Sequence, residues 1–512
     1  MDRIIKREVE TGCEYTLPDY MGDIKRVLFF KASAIPTGKF VSDGTIELSG
    51  LVNFDVVYSD SEGKLTAFSQ SADIDVKEPI DTACEVDAEM SARPSAVSVR
   101  VVGPRRVALR SSVSVTATVS GEGEIVIEGD VFGDNANDSV ETMSAGINAL
   151  CSRFHASGER EYAEEACRLV GVTSDEVEII ATSGRVIVTE AVSEDGGVRV
   201  KGEMIITSLV RTDEQPPFAV KKIIPFDERI DIDGVMPTDS IIASAYLPSE
   251  TMGIAEDGDA TVLSANAICE FALMISQNKA IEVTKDAYLI DRECKNTYER
   301  LNYLEHVATV HMTDDFSAKV SREELGLSTA REIILINADS RVDEKVITKD
   351  SIEISGICRV NGVACEISPS GQPTYVPFRT DVPFSLSGGC GCLIPGEAEL
   401  ECALSVCDLE CTFETDNLCV SMTLLGDARI VCPHSIERLA SCTVAGEGKI
   451  DTPPSEIVVY YPDADETLYD VSKLHHVKMA DVAAKNGISV ETATCDGNPS
   501  LRSLGVKHVM LP

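Results

Sequence analysis

The chain has 512 residues, and its 45 Lys and Arg against 85 Asp and Glu give a formal charge of −40 at pH 7. That charge repels phosphate backbones and anionic lipid, which excludes nucleic-acid binding as a main activity. Hydrophobic residues make up 44 % of the chain, enough for real cores, while aromatics are 5 % and Trp is absent, which disfavours aromatic stacking platforms.

The first residues, MDRIIKREVE, lack the apolar core of a secretory signal, and no stretch approaches the run of about 18 apolar residues that a membrane span needs. The 17 cysteines are odd in number and irregularly spaced. The expectation is a cytoplasmic chain with free thiols and no direct membrane insertion.

Taken in chain order, the first apolar stretch is VLFFKASAI (27–35), followed by TIELSGLVNFDVVY (45–58). Ile46, Leu48, Val52, Phe54, Val56 and Tyr58 alternate, the period of a half-buried strand. AFSQSADID (67–75) follows, and VALRSSVSVTATV (107–119) reads as a closing strand. Residues 140–170 carry helix formers and are expected to form a junction helix.

The pattern then returns. VEIIATSGRV (177–186) leads into GVRVKGEMIITSLV (197–210), with Val198, Val200, Met204, Ile206 and Val210 alternating. IIPFDERIDI (223–232) and TVLSANAICEFALM (261–274) complete the second copy. A second junction helix is expected over 291–306. The third copy runs through EIILINADSRV (332–342), SIEISGICRVNGVA (351–364), VPFRTDVPFS (376–385) and LCVSMTLLGDARI (418–430), with Ile352, Ile354, Cys358 and Val360 alternating. Gly50, Gly202 and Gly356 recur at one place, where a mid-strand glycine predicts a bulge, a bend or a close backbone approach. Phe226 is matched to Phe378, and Phe68 to both.

Ten cysteines lie between Cys358 and Cys442. Cys390 and Cys392 are one residue apart, and Cys402, Cys407, Cys411 and Cys419 follow at unrelated gaps. Zinc sites use pairs two to four residues apart, so no metal site is expected, and Cys358 and Cys402 read as strand interiors.

AGEGKIDTPPSE (445–456) is a Gly/Pro linker. After it, Ile457, Val459 and Tyr461 alternate. Thr467 is a candidate N-cap with Asp470 three residues on, and Leu468, Val471 and Leu474 share a helix face. Met479, Val482 and Ala483 mark a second short helix that Asn486-Gly487 stops, and Val509 and Leu511 alternate in a last strand. The expected architecture is multidomain and mainly β. It comprises three tandem antiparallel, sandwich-like units over 1–135, 136–295 and 296–448 with short junction helices, a linker over 449–455, and a βααβ module over 456–512.

The C-terminal module resembles a LysM domain. Glu466-Thr467-Leu468 is similar to that family's Asp-Thr-Leu, Tyr469-Asp470-Val471-Ser472 to its Trp-Asp-Ile-Ala, and Leu511-Pro512 to its closing Ile-Pro. The three repeats resemble the SPOCS domain of spore-coat-associated proteins. Three such repeats with one LysM module are similar to a clostridial family of coat-morphogenetic proteins that partner the stage-IV coat ATPase.

The resemblance implies a non-enzymatic scaffold in the mother-cell cytoplasm, held at the forespore surface through partners, with the LysM module binding the ATPase. It places a ligand groove or partner surface at Asp465, Glu466, Thr467, Leu468, Tyr469, Leu474, His475, His476, Lys478, Asn486 and Ile488. Asp465 stands where the family usually has Gly. The alternative it implies is a cell-wall protein that binds peptidoglycan or N-acetylglucosamine polymers. The bland reading of His475 and His476 is a solvated helix end.

The residues themselves supply no catalytic constellation. There is no GxxxxGK[ST] loop and no GxSxG elbow, and His306 and His311 lack the i, i+4 spacing of a zincin. No catalytic residue, cofactor or metal is expected.

Overall fold

The computed structural model describes residues 2–42, 44–79, 85–122, 140–213, 215–368, 372–445, 458–490 and 499–512. The expected boundary near 135 and the expected linker over 449–455 lie outside them. The fold is mainly β, with antiparallel sheets and two short α-helices.

Each repeat builds the same three-stranded meander, because its three apolar stretches follow one another through turns. These are β2 (Ile24–Ser42), β3 (Thr45–Asp60) and β4 (Leu65–Pro79); β9 (Val177–Glu194), β10 (Gly197–Thr212) and β11 (Phe218–Asp231); and β15 (Ala330–Ile347), β16 (Ser351–Ile367) and β17 (Pro373–Gly389). The glycine-centred stretch is the middle strand each time. The alternating residues named above on β3, β10 and β16 are all at most 1 % exposed.

The recurrent glycine sits where the neighbouring strand crowds in. A Cβ on Gly202 or Gly356 would stand 2.0 Å from the carbonyl oxygen of Ile187 or Arg341, and one on Gly50 would stand 2.9 Å from that of Ile35. The pairing shifts register beside each of them, so the glycine marks a bulge with a close backbone approach. From the other side, Phe226 lies opposite Gly202 and Phe384 opposite Gly356. Phe384, not Phe378, is therefore the counterpart of Phe226; Phe378 faces Gly362. The third repeat carries two Pro-Phe pairs, and only cross-strand register tells them apart.

A second sheet covers each meander. The first is β1 (Asp2–Thr16), β6 (Arg106–Glu122) and β5 (Glu85–Gly103), in that order. In the second, β13 (Ala260–Leu289) lies between β12 (Ser240–Asp257) and two successive strands, β7 (Val140–Ala156) and β8 (Arg160–Val170). In the third, β19 (Asn417–Val444) lies between β14 (Cys294–Ser321) and β18 (Glu399–Glu414). The facing sheets of each unit share one apolar core.

The three units close into a ring. β4 packs on β9, β11 on β15, and β17 returns to β2. Leu28 and Phe29, Ile180 and Ala181, and Ile334 and Leu335 meet in one cluster. These pairs hold the same place in their meanders, counted back from the residue opposite the recurrent glycine. Elsewhere the closing strands converge. Arg429 of β19, 1 % exposed, pairs with Glu401 at 2.7 Å and reaches Met274 Sδ of β13 and Thr118 Oγ1 of β6, each at 3.4 Å. The repeats are thus arranged about an approximate threefold axis.

Both expected junction helices are strands. Residues 140–156 pair with β13, burying or half-burying Met143, Ala145, Ile147 and Ala149 while Thr142, Ser144, Gly146 and Asn148 face solvent. Residues 160–170 also pair with β13, and 294–306 pair with β19. The helix preference of Ala, Glu and Arg is worth about 0.5 kcal/mol per residue or less. A long cross-strand ladder with a buried face outweighs it.

These strands form a stalk. Pairing with β12 ends at Ser276 and pairing with β18 ends at Val431. Beyond those points β7–β13 and β14–β19 continue as two-stranded ribbons. They pack on each other through Ile147, Ala149 and Val283 against Leu301, Tyr303 and Ile436. The C-terminal residues follow the order β20 (Val459–Tyr460), α1 (Leu468–Leu474), α2 (Met479–Asn486) and β21 (Val509–Met510), with β20 and β21 antiparallel.

Candidate functional site

The C-terminal module is built by local chemistry that the sequence announces. Thr467 Oγ1 accepts the Asp470 N–H at 3.2 Å, and the Asp470 carboxylate accepts the Thr467 N–H at 3.0 Å, a reciprocal cap that opens α1. Gly487, at φ 66°, ends α2 in the left-handed conformation. Asn486 ties α2 to the last strand: its Nδ2 donates to the Val482 and Met510 carbonyls, both at 2.8 Å, and its Oδ1 accepts the Met510 N–H at 2.7 Å. Leu468 and Tyr469 are buried, and Ile488 packs on the same core.

The Glu466 carboxylate accepts the Tyr460 hydroxyl at 2.9 Å and the Asp463 N–H at 2.8 Å. Its carbonyl accepts the Leu501 N–H at 2.8 Å, so the two loops bordering the expected groove are joined at their base. Asp465 and Lys478 are exposed. Residues 491–498 of the second loop lie outside the described residues. Leu474, expected to share a helix face with Leu468 and Val471 and also to border the partner surface, is 58 % exposed, because the helix ends there and Tyr469 and Ser472 take the buried side with Leu468 and Val471.

The module sits on the tip of the stalk, held by the end of α1 and the turn after it. Tyr288, near the end of β13, meets Tyr469 edge-on with ring centroids 5.4 Å apart and donates its hydroxyl to the Val477 carbonyl at 2.7 Å. His476, at φ 52°, bonds the Leu289 carbonyl through Nδ1 at 2.8 Å. The Lys473 ammonium pairs with Asp286. Asp286 lies at a register shift of β13 and also accepts the Ala287 N–H at 2.9 Å, Asn296 Nδ2 at 2.7 Å and the Tyr298 hydroxyl at 2.9 Å. One carboxylate therefore joins β13, β14 and α1.

The electrostatics follow from that geometry. Burial opposes ionisation of Asp286, but the hydrogen bonds from Lys473, Tyr298 and Ala287, with the Lys473 charge, outweigh it and hold its pKa below the ordinary value. The Tyr469 hydroxyl is pushed upward, first by burial and then by the nearby Asp286 charge. His475 caps α1 with its ring edge-on to Tyr460 at 5.0 Å, and burial lowers its pKa against the pull of Glu466.

Of the expected partner-facing residues, His476 is occupied by the seat and His475 lies within the module, so neither is a freely solvated helix end. Leu474, Lys478 and Asp465 remain outward. The structure adds an outer face on the strand pair: Val459 stands opposite Met510, and the Tyr461 and His508 rings are 6.2 Å apart, all four exposed. Alternation predicts that Val459 and Tyr461 share a side; the helices cover the other one. Asp286 and Tyr288 escaped sequence reasoning, since no local pattern links strand 260–289 to the module.

Among the described residues, no group of three or more His, Cys, Asp or Glu is placed to hold a metal ion. Among them, too, no helix is long and apolar enough to cross a membrane. Comparison with protein families, curated proteins and solved structures finds no match.

Proposed function

We propose that this chain is a non-enzymatic adaptor of spore-coat assembly, with a SPOCS-like ring as its body and a LysM-like module as its partner-binding end. The observation that supports the reading most is the seat. The module is fixed on the stalk by its inner side, through Asp286, Tyr288 and His476. Val459, Tyr461 and Met510 on the strand pair and Leu474 at the end of α1 are left outward, all exposed apolar side chains on a small module. An adaptor needs such a division between a held side and a presented side. The partner that the resemblance implies is the coat ATPase, in the mother-cell cytoplasm at the forespore surface.

The test is capture of the purified full chain on immobilised coat ATPase, in parallel with sedimentation on insoluble peptidoglycan. The full chain is expected on the ATPase, and a chain ending at residue 448 is not. Tyr461→Asp and Leu474→Asp are expected to weaken capture while leaving the module seated. Equal capture of the chain ending at 448 would refute the assignment of binding to the module. Retention on peptidoglycan that exceeds retention on the ATPase would favour a glycan-binding protein instead.

A further inference from the structure

Two thiols meet beneath the module. Cys294 opens β14 and Cys442 lies near the end of β19. Their cross-strand partners are Val444 and Asn296, so the two cysteines are diagonal neighbours on one ribbon. Both belong to a small apolar cluster with Ala287, Leu439 and Val140, and Cys294 Sγ lies 3.8 Å from the Ala287 carbonyl oxygen. Cys442 is buried, whereas Cys294 is half-buried and also packs against the core of the module. Diagonal neighbours on an antiparallel pair stand about 7–8 Å apart and a disulfide needs Cα atoms within about 7 Å, so a bond here requires the two strand ends to draw together slightly. The chain between them contains the whole third unit, so a bond here would clamp both ends of that unit at the stalk.

The geometry points to Cys294 and Cys442 as a dithiol–disulfide couple that low-molecular-weight disulfides convert, and that rigidifies the seat of the C-terminal module. Cys294 is the accessible sulfur and attacks first. Its thiolate displaces RS⁻ from RSSR, breaking that S–S bond and forming a mixed disulfide. The Cys442 thiolate then attacks the Cys294 sulfur and expels the second RS⁻. Two protein thiols are oxidised, one RSSR is reduced, and the two thiol protons end on two RSH. Burial, first, and the neighbouring Cys294 push the Cys442 thiol up to about 12, which lowers its thiolate fraction and makes the second step the slower one.

The test uses the full chain, reduced and then equilibrated in glutathione buffers of rising oxidised fraction, acid-quenched, alkylated and peptide-mapped. The first intramolecular bond is expected to join Cys294 to Cys442, removing two of the 17 thiols. Cys294→Ala and Cys442→Ala should each abolish that bond. Cys294→Ala, at the half-buried position, serves as the control if Cys442→Ala fails to fold. Hydrogen exchange across Tyr288, Leu289 and α1 should slow on oxidation of the natural chain and not of the variants. A different first pair, glutathione adducts without the internal bond, or unchanged exchange across α1 would each overturn the proposal.

Discussion

Arg429→Met removes the guanidinium at which all three units meet. The side chain is 1 % exposed and bonds Glu401 through Nη2 at 2.7 Å and Nε at 3.2 Å, and the Glu401 side chain is itself 15 % exposed. Removing one member of a buried ion pair costs about 3–5 kcal/mol, mostly because the other charge is left stranded. Lys6 Nζ stands 3.9 Å from the second Glu401 oxygen but is half-exposed, so it offsets little of that cost. Methionine keeps most of the length and apolar contact with Met274, which places the expected loss near 3 kcal/mol, the lower end of that range. The paired change Arg429→Met with Glu401→Leu removes both charges and should return to within about 1 kcal/mol of the natural chain. Urea unfolding, followed by far-ultraviolet dichroism, reads the loss as a shift of midpoint. Because the contact joins three units, the single variant should also split one transition into several. A loss below about 1 kcal/mol, or a double variant as weak as the single one, would refute the ring as a charge-locked assembly.

Two further expectations concern the bulge and the seat. Gly202→Ala and Gly356→Ala force a Cβ to within 2.0 Å of a backbone carbonyl and should each cost about 2–3 kcal/mol in the same assay. Gly50→Ala, at 2.9 Å and with a flexible Met90 beside it, should cost less; the reverse order would defeat the close-approach account. Asp286→Asn should release the module, seen as faster hydrogen exchange in α1 at neutral pH with the ring unchanged. Asp286 has its folded pKa held below the ordinary carboxylate value, so its contribution is fully present above the unfolded value and is lost as the pH falls through the folded one. The natural chain should therefore lose α1 protection only in strong acid, whereas Asp286→Asn should show no such step; an acid step that persists in the variant would assign it elsewhere.

Period-two alternation on β3, β10 and β16 was legible because one face of each strand is buried and the other is not. The recurrence of Gly50, Gly202 and Gly356 was legible because a backbone carbonyl approaches there, and only glycine leaves room for it. Thr467 and Asp470 were legible because a cap is chemistry within four residues. The failures share one cause. Over 140–170 and 291–306 the local preference is helical, and the deciding partner is a strand more than a hundred residues away for Val140–Ala156 on β13 and for Cys294–His306 on β19. Phe226 was matched to Phe378 because sequence shows a Pro-Phe pair but not which residue stands across the strand. Ring closure of β17 on β2 and the meeting of Tyr288 with Tyr469 are likewise tertiary events with no local trace.

The net charge of −40 is distributed unevenly along the chain, and that bears on where a partner can land. Residues 456–512 hold eight acids and five bases, so of the −40 carried by the whole chain only −3 belongs to the module. The acids of the ring lie largely on exposed strand faces and turns, as at Glu47, Glu190 and Glu414, often paired to one basic neighbour. A protein approaching the ring meets a negative field that salt weakens only beyond about 8 Å. One approaching the module meets exposed Lys478, Lys507 and His508 and exposed Leu474, Tyr461 and Met510, with the Tyr461 and His508 rings 6.2 Å apart. The same acidity that blunts strand edges of the ring against self-association thus leaves the module as the place where association costs least. A neutral substitution there, such as Lys507→Ala, should therefore slow binding of an acidic partner more at low salt than at high salt.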